Sequence, residues 1–180
     1  LGFITFAPEA LMILSPNAHD YWAAKWVIPP VALGTLAQYF YTNYVNIELF
    51  RKKTPIIAVS SIAAAVVNYG LNSFAIPRFG YISAAYTTLL SYIFLMLFHY
   101  IATRYVLKEK VYSDMFMFVG LILSIGAGML IMCFYGDGIS NIIKRYLCAV
   151  VMLGVFAFIL RNDIITLYAF IKRKYFKKES

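Results

Sequence analysis

The sequence predicts an all-α membrane protein, a polytopic bundle of transmembrane helices. Of its 180 residues, 62% are hydrophobic and only 13% are charged, whereas a typical soluble domain has about 25% charged residues. Long uncharged runs alternate with short basic clusters along the chain. Because about 20 apolar residues cross the hydrocarbon core as a helix, these runs have the length of membrane spans.

Five predominantly apolar runs reach the length of a span, the last of them with Lys144 and Arg145 in its first turn, and one run at the start of the chain is shorter. The predicted elements are a partial helix at 1–14 and full spans at 27–47, 55–76, 79–103, 113–135 and 142–160. Several starts carry helix-initiation signals. Pro29 and Pro55 suit a first helical turn, and Ser113 with Asp114 suits the positive end of a helix dipole.

The distribution of basic residues predicts the orientation of the helices. Alternating the loops across the bilayer gathers twelve Lys and Arg on one side, in the Arg51 loop, the Arg104 loop and the tail at 161–180, and leaves four on the other. By the positive-inside rule, these loops and the C-terminus are cytoplasmic. The tail is predicted to be a basic amphipathic segment on the anionic inner leaflet, or a solvated end that only sets topology.

Composition and motifs argue against several classes of function. The basic clusters form no continuous face, so no nucleic acid partner is predicted. The eight acids are scattered singly and no Gly-rich phosphate loop follows a strand, so no enzyme active site and no cofactor are predicted. The two cysteines, Cys133 and Cys148, lack the spacing of a zinc site, and no metal site is predicted.

Small and polar residues spaced four apart predict three helix contact faces. These stripes are Ser60, Ala64, Asn68 and Asn72 on the second full span, Gly80, Ala84 and Thr88 on the third, and Gly120, Ser124 and Gly128 on the fourth. A short turn joins the second and third spans, so we expect them to be antiparallel neighbours whose stripes face each other.

Three polar residues within apolar runs are candidates for a substrate cavity: Glu9, Asn68 and Asn72. For the two asparagines, the first interpretation is structural, since an amide in hydrocarbon seeks an interhelical partner, and the second is a cavity lining. Glu9 is the only carboxylate well inside an apolar run, although it could equally lie near an interface. His99 is predicted to be a hydrogen-bonded interfacial residue and not a ligand.

The stretch from Asn68 to Tyr92 carries a family resemblance. Read as NYGLNSFAIPRFGYISAAYTTLLSY, it resembles the segment N-x-x-x-N-x-x-x-I-P-x-(F/Y)-G-x-x-(G/S)-A-A-x-x-T-x-x-S-Y of polysaccharide flippases, in the multidrug, oligosaccharidyl-lipid and polysaccharide exporter superfamily. Weaker likenesses are ELFRKKT from Glu48, interpreted as a charged loop, residues 21–24, and RNDIITL from Arg161.

The resemblance implies that the chain is the last third of a two-lobe flippase with about 12 to 14 helices, belongs to its second lobe and begins inside a helix. It implies that undecaprenyl-diphosphate-linked oligosaccharide crosses the bacterial inner membrane by alternating access. The implied partners are the lipid bilayer, that lipid-linked glycan and the remainder of the transporter upstream of Leu1. Most substrate-contacting charges would lie in that remainder, and Arg78 would be a topology and interface residue.

Three alternatives stay open. The chain could be a small complete multi-pass protein with an assembly or regulatory role, or a cation-coupled drug exporter of the same superfamily. The exporter would need cation-binding acids, for which Glu9 is the single candidate in the sequence. A membrane-bound glycosyltransferase or polymerase is the third alternative.

Overall fold

The computed structural model describes residues 1–16, 19–110, 113–136, 138–159 and 161. Within that part of the chain every regular element is a helix, which confirms the predicted all-α bundle. The chain divides into two compact units, Leu1–Cys133 and Phe134–Ser180. Residues 162–180, and with them nearly all of the predicted basic tail, lie outside the described residues.

In the described part of the chain, six α-helices follow the order of the predicted partial helix and five spans. The first unit contains α1 (Gly2–Leu14), a 3₁₀ helix (His19–Trp26), α2 (Ile28–Phe50), α3 (Thr54–Phe79), α4 (Ser83–Ile101), a π-helical turn (Ala102–Val106) and α5 (Asp114–Met132). The second unit contains α6 (Ile139–Ile159). The predicted boundaries differ from the observed ones by a few residues, as is usual for helix ends.

The turn between α3 and α4 is set by two residues. Pro77 lies in the last turn of α3, where it lacks a backbone N–H. Gly80 follows with φ of 77°, a left-handed conformation that favours glycine, and α3 ends there. Gly80 is therefore a turn residue, which differs from its predicted place at the start of the next helical stripe, because α4 begins only at Ser83.

Four described helices are long and apolar enough to cross a membrane. They are Thr54–Phe79, Ser83–Val106, Asp114–Met132 and Ile139–Ile159. The 23 residues of α2 give it the length of a span, but it is more polar than these four helices because it carries Gln38, Asn43, Asn46 and Glu48. The predicted span at 27–47 is based on the absence of charged residues. That criterion overlooks polar side chains without charge, such as amides.

The more polar helix α2 is central to the first unit. Its buried side chains include Leu33, Ala37, Phe40 and Tyr44, which follow one face at helical spacing. This helix packs most extensively against α4 and also contacts α1 and α5, whereas α3 packs chiefly against α4. The helix α4 therefore lies between α2 and α3.

An apolar core joins α2, α4 and α5. Its buried members are Ala37, Phe40, Tyr44, Met96, Met117 and Leu121. Tyr100 continues this core with edge-on ring contacts to Tyr44, at a centroid distance of 6.0 Å, and to Phe118, at 5.0 Å. Such aromatic contacts add roughly 0.5 to 1.5 kcal/mol each beyond their buried area.

The outer face of α3 is apolar and exposed. Val59, Ile62 and Val66 are all more than half exposed, and the buried residues of this helix are Ser60 and Ala64. Large contiguous apolar surfaces are rare on soluble monomers. An inward face of small and polar residues with an outward face of large apolar ones is the arrangement expected of a helix in lipid.

The small-residue stripe of α5 faces α1 and α2. A Cβ atom at Gly128 would lie 3.1 Å from Ile4 Cδ1 and 3.2 Å from Leu33 Cδ1, while one at Gly120 would lie 3.8 Å from Phe40 Cζ. Ser124, between the two glycines on this stripe, is buried. Of the two stripe glycines, Gly128 is therefore the more tightly packed.

Replacing Gly128 with Leu is expected to destabilise the folded protein by about 1 to 3 kcal/mol, because the larger side chain overpacks the contact with Ile4 and Leu33. Gly126→Leu on the same helix is the matched control, since a Cβ there meets nothing within 4 Å. Unfolding in mixed micelles measures both variants. Equal stability of the two variants would contradict the close packing at Gly128.

Candidate functional site

Three buried polar side chains meet where α2, α3 and α4 come together. Glu48 and Ser60 are 0% exposed and His99 is 1% exposed. His99 Nδ1 lies 2.9 Å from both carboxylate oxygens of Glu48, and His99 Nε2 lies 3.0 Å from Ser60 Oγ. We refer to these three residues as the Glu48 relay.

The helix ends bring the Glu48 relay together. Glu48 is in the last turn of α2, His99 is in the last turn of α4, and Ser60 is in the second turn of α3. Because α3 runs opposite to α2 and α4, these turns lie at the same end of the unit. At a rise of 1.5 Å per residue, each residue is within about 9 Å of its helix end.

The hydrogen atoms of the relay can be arranged in two ways. Ser60 Oγ lies 2.8 Å from the carbonyl oxygen of Ile57 as well as 3.0 Å from His99. If both ring nitrogens carry hydrogen, His99 donates to Glu48 and Ser60, and Ser60 donates to Ile57. If only Nδ1 carries hydrogen, Ser60 donates to His99 instead. The relay can therefore hold a proton without leaving a ring nitrogen unpaired.

Aromatic side chains enclose the imidazole of His99. Tyr41 stacks on it with a centroid distance of 5.6 Å and an interplanar angle of 15°, and Phe98 contacts it edge-on at 6.1 Å. An enclosed environment strengthens the electrostatic attraction between paired groups. It equally makes an unpaired carboxylate or imidazolium costly.

The relay has the connectivity of a nucleophilic triad, in which a carboxylate orients a histidine that bonds a serine. Nucleophilic catalysis also requires that a substrate reach the serine oxygen. Ser60 is fully buried, so its Oγ is inaccessible in this conformation. What the geometry shows is a buried contact that joins α2, α3 and α4.

A second polar cluster lies farther along α3 and α4. Asn68 Nδ2 donates to Ser91 Oγ at 3.0 Å, Asn72 Nδ2 donates to Asn68 Oδ1 at 2.9 Å, and Thr87 Oγ1 donates to Asn72 Oδ1 at 2.5 Å. We call these four residues the Asn68 seam. The seam brings the two candidate asparagines together and directs both toward α4.

The Glu48 relay and the Asn68 seam share one antiparallel register. Ser60 pairs with His99, Asn68 pairs with Ser91, and Asn72 pairs with Thr87. From one pair to the next, the residue number rises by eight or four on α3 and falls by the same amount on α4. The predicted α3 stripe is thus a continuous line of about 18 Å that carries every one of these bonds.

The side chains of α4 that bond α3 are not those of the predicted stripe. Thr88 Oγ1 donates to the carbonyl oxygen of Ala84 in its own helix, whereas Thr87 and Ser91 bond across the interface. Residues at positions i, i+3, i+4 and i+7 share one side of a helix, so Thr87 and Ser91 lie beside Ala84 and Thr88. The predicted stripe therefore lies on the correct side of α4 but misses the two residues that bond α3.

The Arg51 loop and the Arg104 loop meet at the relay's end of the unit. Arg51 pairs with Glu109, and Arg104 pairs with Asp114 at the start of α5. Asp114 also accepts a hydrogen bond from Tyr44 Oη at 2.9 Å. The predicted alternation of loops requires these two basic loops to lie on one side, and the structure places them together.

The structure places Glu48 differently from the sequence prediction, and it places the candidate Glu9 away from the relay and the seam. Glu48, predicted in a charged loop, is helical and buried, because His99 on α4 supplies its partner. Its spacing of four from Tyr44 on the buried face of α2 was the available signal. Glu9 is half-buried on α1, a different helix from those that carry the relay and the seam.

No protein-family model, curated protein or solved structure matches this chain. Functional inference therefore depends on the geometry of the relay and the seam, and on the resemblance of residues 68–92 to flippases.

Glu48→Ala is expected to lower the free energy of unfolding by about 3 to 5 kcal/mol, because His99 would keep its burial and lose its carboxylate. Glu109→Ala is the matched control, and breaking its exposed pair with Arg51 should cost about 1 kcal/mol or less. A double variant with His99→Ala should lose less than the two single losses added. Additive losses would contradict direct pairing.

Asn68→Ala is expected to cost around 1 kcal/mol, a typical value for an interhelical side-chain bond in lipid. Asn43→Ala serves as control, because Asn43 Nδ2 donates to Tyr39 in its own helix. Unfolding in mixed micelles compares the two. A larger loss for Asn43→Ala would argue against the seam as an interhelical contact.

Proposed function

We propose that this chain is the C-terminal part of a membrane transporter that flips undecaprenyl-diphosphate-linked oligosaccharide across the bacterial inner membrane for surface polysaccharide synthesis. In this proposal the basic loops and the C-terminus are cytoplasmic, and residues upstream of Leu1 supply the rest of the transporter. The proposal rests on the flippase-like stretch at 68–92, which is one helical hairpin.

The motif residues have distinct roles within that hairpin. Asn68, Asn72 and Ser91 bond in the seam, while Pro77 and Gly80 end α3 and form the turn. Three polar members of the motif thus join two helices, and its Pro and Gly form the turn between them. These structural roles of the motif residues support the resemblance in addition to the sequence match.

The hydrogen bonding of the asparagines favours a scaffold role for the hairpin. Asn68 donates to Ser91 and accepts from Asn72, and Asn72 also accepts from Thr87. Their amide groups are thus engaged with each other and with α4. In alternating access, two lobes rock around a central site, and a hairpin joined along about 18 Å would move as one body.

Reconstituting the transporter in liposomes, with this chain joined to its upstream segment, tests the proposal. We expect transfer of a fluorescent lipid-linked oligosaccharide between leaflets. Asn68→Ala/Asn72→Ala should lower folded yield and flipping together, and Asn43→Ala should preserve both. Folded protein that flips no lipid-linked oligosaccharide would contradict the proposal, as would synthesis of a sugar-transfer product by purified protein.

One observation favours a second candidate, the cation-coupled drug exporter. The sequence offers Glu9 as the single candidate for a cation-binding acid. The structure adds Glu48, a buried carboxylate that is paired with His99. Efflux of a cationic dye driven by a proton or sodium gradient, and abolished by Glu48→Gln, would support the exporter. Gradient-independent flipping of the lipid-linked oligosaccharide would favour the flippase.

A further inference from the structure

An apolar groove opens between the last turns of α3 and the first turns of α4. Its volume is about 460 Å³. Its walls include Leu71, Phe74 and Phe79 from α3, Ile82 just before α4, and Tyr86 and Leu90 from α4. Within the wall, Ser83 and Thr87 donate their hydroxyl hydrogens to Gly80 and Asn72. The groove therefore suits a hydrocarbon chain better than a sugar.

The length of the groove fits one leaflet of a bilayer. Its walls extend along α3 from Leu71 to Phe79 and along α4 from Ile82 to Leu90, which is about 12 Å on each helix. The hydrocarbon core of a bilayer is about 30 Å thick, so one leaflet contributes about 15 Å. The turn at Gly80 lies at one end of the hairpin, where such a leaflet would begin.

A positive charge lies at this end of the groove. The Arg78 guanidinium is 3.8 Å from the ring centroid of Phe74, a groove residue, and Arg78 Nη1 donates to the Phe74 carbonyl oxygen at 3.0 Å. Arg78 is exposed, and it is the only Asp, Glu, Lys or Arg between Lys53 and Arg104 in the sequence. The hairpin thus supplies no carboxylate to neutralise it.

We propose that this groove binds one anionic phospholipid of the bilayer, with an acyl chain between α3 and α4 and the phosphate on Arg78. A guanidinium has five N–H donors in a geometry that matches phosphate oxygens. The proposal does not depend on the identity of the transported cargo.

Native mass spectrometry of the full chain, released from micelles with added phosphatidylglycerol or phosphatidylcholine, tests this site. We expect phosphatidylglycerol to bind in preference, and Arg78→Gln to weaken its binding about tenfold, as loss of a charge-assisted bond implies. Arg78→Lys should give an intermediate affinity. Lys25→Gln removes the same charge elsewhere and should leave the affinity unchanged.

A second pair of variants tests the groove itself. Ala75→Leu places a larger side chain in the groove wall and should weaken both phospholipids, whereas Ala65→Leu, at an exposed position of α3 outside it, should not. Equal binding of the two phospholipids, or no effect of Arg78→Gln in folded protein, would overturn the proposal. The proposal would also be overturned if two copies of the chain formed a dimer that Ala75→Leu dissociates. Displacement of phosphatidylglycerol by an equimolar polyprenyl phosphate would overturn it as well.

Discussion

The architecture of the first unit depends on one constraint: polar side chains within hydrocarbon must find their partners inside the protein. The four-residue stripe of α3 meets this constraint with a single register against α4, in which Ser60, Asn68 and Asn72 each bond across the interface. Since lipid supplies no hydrophobic force between helices, these bonds and the packing of small residues such as Ala64 hold the pair together. The large apolar side chains of α3 are then left to face lipid.

The Glu48 relay extends the same principle to a third helix. Glu48 brings a carboxylate from α2 into a position where His99 bridges it to Ser60, so one imidazole connects α2, α4 and α3. This arrangement accounts for the buried carboxylate of α2, whereas Gln38 and Asn46 on the same helix are exposed and take no part in it. It also places the only buried histidine–carboxylate pair of the described residues near the end where the basic loops meet.

Much of this fold could be predicted from uncharged run lengths, proline positions and fourfold spacing of small residues. The helix order, the α3–α4 hairpin and the inward stripe of α3 all follow from these local patterns. On α4, Ala84, Thr87, Thr88 and Ser91 are all small or polar and share one side of the helix, so only the partner helix determines which of them form bonds. Glu48 was assigned to a loop because a charge ends an uncharged run, and its partner lies 51 residues away in sequence. The spacing of four from Tyr44 indicates the buried face of α2, but no local pattern identifies His99 as the partner of Glu48.

The pairing of Glu48 with His99 inside the bilayer is the central claim, and solid-state NMR of the protein in lipid bilayers tests it most directly. The measurement is the dipolar coupling between ¹⁵N-labelled His99 and the ¹³C-labelled side-chain carboxyl of Glu48. The structure predicts a detectable through-space coupling, since Nδ1 lies 2.9 Å from both carboxylate oxygens, and a Glu48 signal that a water-soluble paramagnetic reagent does not broaden. Absence of the coupling, with a Glu48 carboxyl broadened by that reagent, would contradict the account.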